Sequence, residues 1–526
     1  MKKVFLFFLG SILIFLGLVY ALLFTPIGNS IVASYIQDSV NSKLAQANFK
    51  VEKFTLTTSK INFIADIDSN SKINISGNLA ILEKSVDLNY VINIDDLSKL
   101  EKFTKQKLNG SFFTKGSVKG DQKLVDIKGI SDIFESNTTY DVKLENFKPS
   151  QINFLIKKAK INKLLYTLNQ PIYAQGLINI NGKIKNADLN SLDGIIATVI
   201  TDGKVNNKIV NTAFNQKLKS LINFKGDIVT NLKPNKAISK VDFFTTPANL
   251  FVEKAVVDLK TMKINSDYLL SVSDLSKLYD VTQTKMRGSV NISGNIEKTA
   301  KDLEVDGKSN LLAGTLNFKL LNDDLSANIK DIDIRKLTHM MYYPDFFTSK
   351  ADANVKFNTK TQKGDIDAKL LNGKFLPNEF STLINTFAKF DITKEIYEQI
   401  TLKSNIDKKI IESKINMKSK LTKISVPNST IDLENSTVDA LIKTSLKGID
   451  FDTVVTGDLT SPKISVDTTK LLKLKIKKEG KKFIDKNRKK LKEKLKEKLE
   501  EKFGAKAGGQ TADDIIKGFR AFFGNN

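Results

Sequence analysis

From residue 49 to residue 467 the chain alternates apolar and polar side chains with a period of two. Ile61, Phe63, Ala65 and Ile67 form one run, Ile73, Ile75, Leu79 and Ile81 a second, and Val86, Leu88, Tyr90, Ile92 and Ile94 a third. A strand turns successive side chains to opposite faces, so each run predicts a strand with one apolar and one polar face. Turn formers such as Ser69-Asn70-Ser71 separate the runs and predict a meander. The pattern recurs at Ile178 and Ile180, at Val290 and Ile292, at Leu316, Phe318 and Leu320, and at Ala351, Ala353, Val355 and Phe357. Helical spacing is rarer. Ile31, Val32, Tyr35, Ile36, Val40 and Leu44 predict a short amphipathic helix, and a second helix is predicted near Glu379–Phe390.

An antiparallel sheet this long must cover its apolar face. It can close into a barrel, pack as a sandwich, be capped by helices, or curl into a trough that a ligand covers. Helical content is too low to cap it. Alternation does not separate trough from sandwich, but a trough predicts inward apolar residues along the whole length. The candidate lining is Ile61, Phe63, Ile73, Ile75, Leu88, Tyr90, Ile178, Ile180, Val290, Ile292, Leu316, Phe318, Val355 and Phe357.

The two ends of the chain change the picture. Val4 to Phe24 carries no charge and follows Lys2 and Lys3. About 20 apolar residues span a bilayer core of about 30 Å. The lysines stay cytoplasmic by the positive-inside rule, so the rest is exported. A cleaved signal peptide is the competing reading, but it needs a shorter apolar core and a small-residue cleavage site. Near the other end, residues 470–502 hold sixteen Lys/Arg and six Asp/Glu. Ten of the 24 net positive charges thus lie in this one segment, which favours anionic lipid surfaces over nucleic acid. Leu491, Leu495, Leu499 and Phe503 make an apolar stripe on this Lys-rich helix, a candidate membrane-surface element. The expected organisation is an anchor (1–25), a juxtamembrane helix (26–48), a repetitive β-groove domain (49–467), a basic helix (468–503) and a linker with a short amphipathic helix (504–526).

An internal repeat supports one long β body. Leu97-Ser98-Lys99-Leu100, Ile161-Asn162-Lys163-Leu164, Leu275-Ser276-Lys277-Leu278 and Ile334-Arg335-Lys336-Leu337 share a motif. Glycine-punctuated strands follow the first three, from Gly110, Gly176 and Gly288. The reading is a unit of several strands and a short helix recurring about every 60 residues, with a degenerate copy near Lys217-Leu218.

Candidate chemistry is sparse. The chain has no cysteine and one histidine, His339, which reads as a packing or surface residue. Phosphate-loop and dinucleotide motifs are absent, so no cofactor, metal or catalytic residue is expected. A glycosidase-like carboxylate pair is the remaining enzymatic alternative.

The closing segment Gly457-Asp458-Leu459-Thr460-Ser461-Pro462-Lys463-Ile464-Ser465-Val466-Asp467, together with Thr25-Pro26-Ile27-Gly28 after the apolar span and the strand start Phe49-Lys50-Val51, resembles the AsmA-like family, which includes the TamB- and YhdP-type envelope proteins. The resemblance implies a mainly β fold: a transmembrane helix, then an elongated, curved antiparallel β-sheet trough with short connecting helices and a basic C-terminal helix. It also implies a single-pass inner-membrane protein with its bulk in the periplasm. Such a protein binds phospholipid, supports its transport to the outer membrane, and maintains the envelope. A TamB-like scaffold for outer-membrane protein assembly is the alternative it implies.

Overall fold

A computed structural model describes residues 23–466, apart from 45, 46, 69 and 82. The expected membrane span through residue 22, the basic helix with Leu491, Leu495, Leu499 and Phe503, and the tail 504–526 lie outside the described residues. Among the described residues no helix is long and apolar enough to cross a membrane. Those residues form 26 strands, antiparallel to the strands they pair with, in a sheet that does not close. The chain divides into two units, Met1–Leu270 with Asp280–Gln283, and Ser271–Tyr279 with Thr284–Asn526.

In the first unit the strands from Phe49–Leu56 to Asn249–Asp258 each pair with the next along the chain. The meander is the arrangement the turn residues predict, since two- to four-residue links join antiparallel neighbours only. One detail differs. Ile81, expected to end a strand, falls beyond Ser71–Ala80 and is exposed.

Helix α1 (Pro26–Asn41) precedes this meander. Thr25 caps it, its Oγ1 accepting from the Gly28 N–H at 3.3 Å, and Pro26 occupies the first turn, where its missing N–H costs nothing. Ile36 and Val40 pack toward Phe49, Ala65, Ile67 and Ile94 of the sheet. Ile27, Ile31 and Tyr35, four residues apart, are instead exposed.

The connections of the first unit that contain an α-helix include 97–104, α2 (Ile161–Thr167) and α3 (Asn207–Phe214). All leave the same ends of the strands, after Ile94, Lys160 and Val205. Turns such as 121–124, 145–148 and 233–236 join the opposite ends. One rim therefore carries helices and the other carries hairpins.

The second unit repeats the plan. Its strands from Val290–Lys298 to Lys463–Val466 again pair in chain order. Helices α4 (Ile334–Met340) and α5 (Glu379–Ala388) follow Asp333 and Phe375, so they too share one rim. A reciprocal capping box between Asn378 and Ser381 fixes the start of α5.

The sequence repeat has a structural counterpart. The Asp96 carboxylate accepts from the Ser98 N–H at 2.9 Å, and the Leu97 N–H donates to Gly110 O at 2.8 Å. Asp274, Ser276, Leu275 and Gly288 reproduce both bonds at the same lengths. Gly110 and Gly288 have φ of 88° and 101°, a region that L side chains avoid. The period is not a uniform unit of about 60 residues, however. Connections that contain an α-helix start at residues 97, 161, 207, 275, 334 and 379, and the strands between them number four, two, four, four and two. The degenerate copy expected near Lys217-Leu218 is α3 and its exit, where the Asn211 side chain holds both backbone groups of Leu218.

Candidate functional site

Cross-strand register decides which side chains share a face. In the first unit Ala65, Ile73, Ile92, Thr114, Ser131, Thr138, Ile156 and Ile180 are successive partners. Parallel to that row run Phe63, Ile75 and Tyr90, and Ile61, Gly77 and Leu88. Ile178 stands opposite Ala159 on the same side. All eight candidate residues of this unit thus lie on one face.

The six candidates of the second unit also share a face. Gly294 pairs with Gly307 and that with Phe318, and Val290 and Ile292, four and two residues before Gly294, point to the same side of their strand. Phe318 continues through Ala327 to Val355. Leu320, Leu325, Phe357, Gly364, Ile406, Ile411, Ile431 and Val438 form an adjacent row, and Leu316 lies on the other side of Phe318.

Among the described residues every strand belongs to this one sheet. Within each unit the described strands pack against their neighbours in the sheet. Ile178 is buried and the other thirteen candidates are half-buried. Side chains of one layer shield each other only laterally, so half-burial is what an uncovered apolar face shows. Among the described residues the buried apolar clusters over this face lie along the helical rim. Phe134, Leu164 and Leu165 close over Ala159, Ile161 and Ile178 in the first unit. In the second, Phe380, Leu383 and Ile384 of α5 pack on Ile400, Ile424, Leu446 and Phe451.

The opposite face carries the charge. Lys119 pairs with Asp87 at 3.2 Å and Lys128 with Asp141 at 3.4 Å, and in the second unit Lys363 pairs with Asp407 at 3.1 Å. Such exposed pairs contribute little stability but keep that side in water. An open cavity of about 850 Å³ in the first unit is lined from both faces, by Lys115, Lys128, Asp141 and Lys183 of the charged side and by Tyr90, Tyr140, Phe154 and Gly182 of the apolar one.

Hydroxyls interrupt the apolar face at several places, two of which are clusters on neighbouring strands. Tyr90 and Tyr140 lie over Gly116 and Gly129, where an added Cβ would meet their hydroxyls within 2.7 Å. Their oxygens are 2.5 Å apart, and the Thr114 Oγ1 is 2.5 Å from that of Tyr140 and donates to Ile130 O. Burial, and then Tyr140, holds the Tyr90 phenol well above its ordinary pKa. In the second unit Ser404, Ser413 and Ser429 stand in one row, with 2.7 Å between the first two hydroxyls. The sequence contained these residues, but their meeting depends on register, and no local signal reported it.

His339 is exposed on α4, and its carbonyl accepts from Arg287 Nε at 2.6 Å. No group of three or more metal-ligating side chains occurs among the described residues. Comparison with protein-family models, with curated proteins and with solved structures finds no match to this chain. The physical content of the site is therefore the apolar face itself.

Proposed function

We propose that this chain is an AsmA-like envelope protein that binds phospholipid acyl chains on its apolar sheet face and supports lipid transport to the outer membrane. The observation that carries the reading is the in-register apolar face of each unit, open except along its helical rim. Each methylene moved from water onto such a face is worth about 0.8 kcal/mol, so a chain can leave a bilayer at small net cost while its head group stays wet. Curvature of the sheet into a trough is part of the proposal.

In the same reading residues 4–24 anchor the chain in the inner membrane and the bulk is periplasmic. The exposed stripe of Ile27, Ile31 and Tyr35 on α1 supports this, because it follows the apolar segment directly and suits a membrane interface. The alternative, a scaffold that pairs client strands with sheet edges, is less favoured at the first edge. There the side chains of Asn29, Gln37 and Asn41 already satisfy the backbone of Leu56, Val51 and Phe49.

Ile292→Asp tests the function by placing a charge on the face. The expected result is reduced lipid crosslinking and a permeable envelope in cells relying on this protein. Unchanged crosslinking with an intact envelope would count against a lipid path.

A further inference from the structure

Of 82 basic residues only four are arginine: Arg287, Arg335, Arg488 and Arg520. The two among the described residues line a single cavity of about 640 Å³ in the second unit. Lys336 and His339 line it as well, and its one carboxylate is Asp345. A chain that otherwise uses lysine for surface charge has therefore placed both described arginines at one spot.

Both guanidinium groups are held through Nε. Arg287 donates to His339 O at 2.6 Å and stacks on the Tyr342 ring, 4.3 Å from its centroid. Arg335 donates to Asp345 Oδ2 at 2.9 Å. Each fork is thus pre-positioned, with its Nη groups as the donors an anion would meet. The lining also includes the apolar Leu275, Leu311 and Val290, the last a member of the apolar face.

The first unit supplies a control within the molecule. Asn109 is the counterpart of Arg287: its N–H donates to Thr167 O at 3.0 Å, as that of Arg287 donates to Met340 O at 3.0 Å. The Asn109 Nδ2 donates to Tyr166 O at 3.0 Å, matching Arg287 Nε on His339 O. Asn162 is the counterpart of Arg335 in the aligned helices. The fold builds this junction with asparagine, so the arginines are not needed for packing.

We propose that Arg287, Arg335 and Lys336 bind a phosphate group at the mouth of the second unit's apolar face. Planar forks that hold phosphate with two parallel bonds are the property arginine has and lysine lacks. The adjoining apolar wall makes the phosphodiester of a phospholipid the fitting source, which rests on the function proposed above; a free phosphate shares the same chemistry.

The test uses the full-length chain and the double substitution Arg287→Asn with Arg335→Asn, the residues the first unit already carries. Two uptakes are measured, from vesicles containing phosphatidylglycerol and from vesicles containing diacylglycerol, together with binding of inorganic phosphate. The expected result is a loss of about tenfold or more in phosphatidylglycerol uptake, with diacylglycerol uptake unchanged. Arg287→Lys should keep part of the uptake. Equal losses for both lipids, or no loss, would overturn the site. Should the unsubstituted protein take up neither lipid, the lipid reading fails. Arginine-dependent binding of inorganic phosphate then upholds an anion site, and its absence overturns that too.

Discussion

The side chain of Asn29 holds both backbone groups of Leu56: its Nδ2 donates to Leu56 O at 3.0 Å and its Oδ1 accepts from the Leu56 N–H. A helix here plays the part of a neighbouring strand. Asn41 does the same for Phe49, at 2.9 and 2.7 Å, and Gln37 accepts from Val51 at 3.0 Å. An exposed sheet edge is a template for unwanted pairing, and α1 blunts this one with amides.

Asn29→Ala should therefore free the edge at Leu56. The expected cost is about 1–2 kcal/mol, with faster amide exchange at Leu56. Adding Gln37→Ala and Asn41→Ala should produce concentration-dependent association, read by light scattering. A triple variant that stays monodisperse with protected amides would count against edge sealing.

Gly182 gives a second prediction. A Cβ there would lie 2.2 Å from the Phe154 ring. Gly182→Ala should lift that ring and destabilise the unit by about 1–3 kcal/mol. Adding Phe154→Leu should recover part of the loss, measured as a shift in thermal midpoint.

Helix α5 is the best-packed cover on the second unit. Ile384 is fully buried against the apolar face, with Leu383 2% exposed beside it. Ile384→Ala should cost about 2–5 kcal/mol. The loss should appear in exchange of Ile400 and Ile424 before that of hairpin-rim residues such as Ile431.

The alkaline limb should show Tyr397. Burial pushes its phenol up to about 12 from an ordinary value of 10. Below pH 10 the group is neutral folded or unfolded, and its contribution is fully present. As pH rises through 10 the unfolded chain ionises first, so stability falls until about 12. Tyr397→Phe should flatten that decline, leaving the share of Tyr90, whose phenol is also raised.

The sequence made the strands legible because period-two alternation is local. Ile61 and Phe63, or Val355 and Phe357, declare a face without reference to any partner. The helix near Glu379 was legible for the same reason, and the structure places it at Glu379–Ala388. What was not legible is set by register. Tyr90 and Tyr140, fifty positions apart, meet only because three successive strand pairings align them. The grouping of helices on one rim follows from strand parity, which a residue window does not carry. The arginine pair is an intermediate case, since rarity was visible in the composition but proximity was not.

Lipid capture by adjacent residues of one strand tests the account most directly. A photoreactive side chain at Val142 or Ile127 lies in the apolar rows, whereas Lys143 or Lys128 lies on the charged side. Phospholipid crosslinks are expected in membranes from Val142 and Ile127, and few from Lys143 and Lys128. Equal crosslinking from both faces, or none from the apolar one, would contradict it.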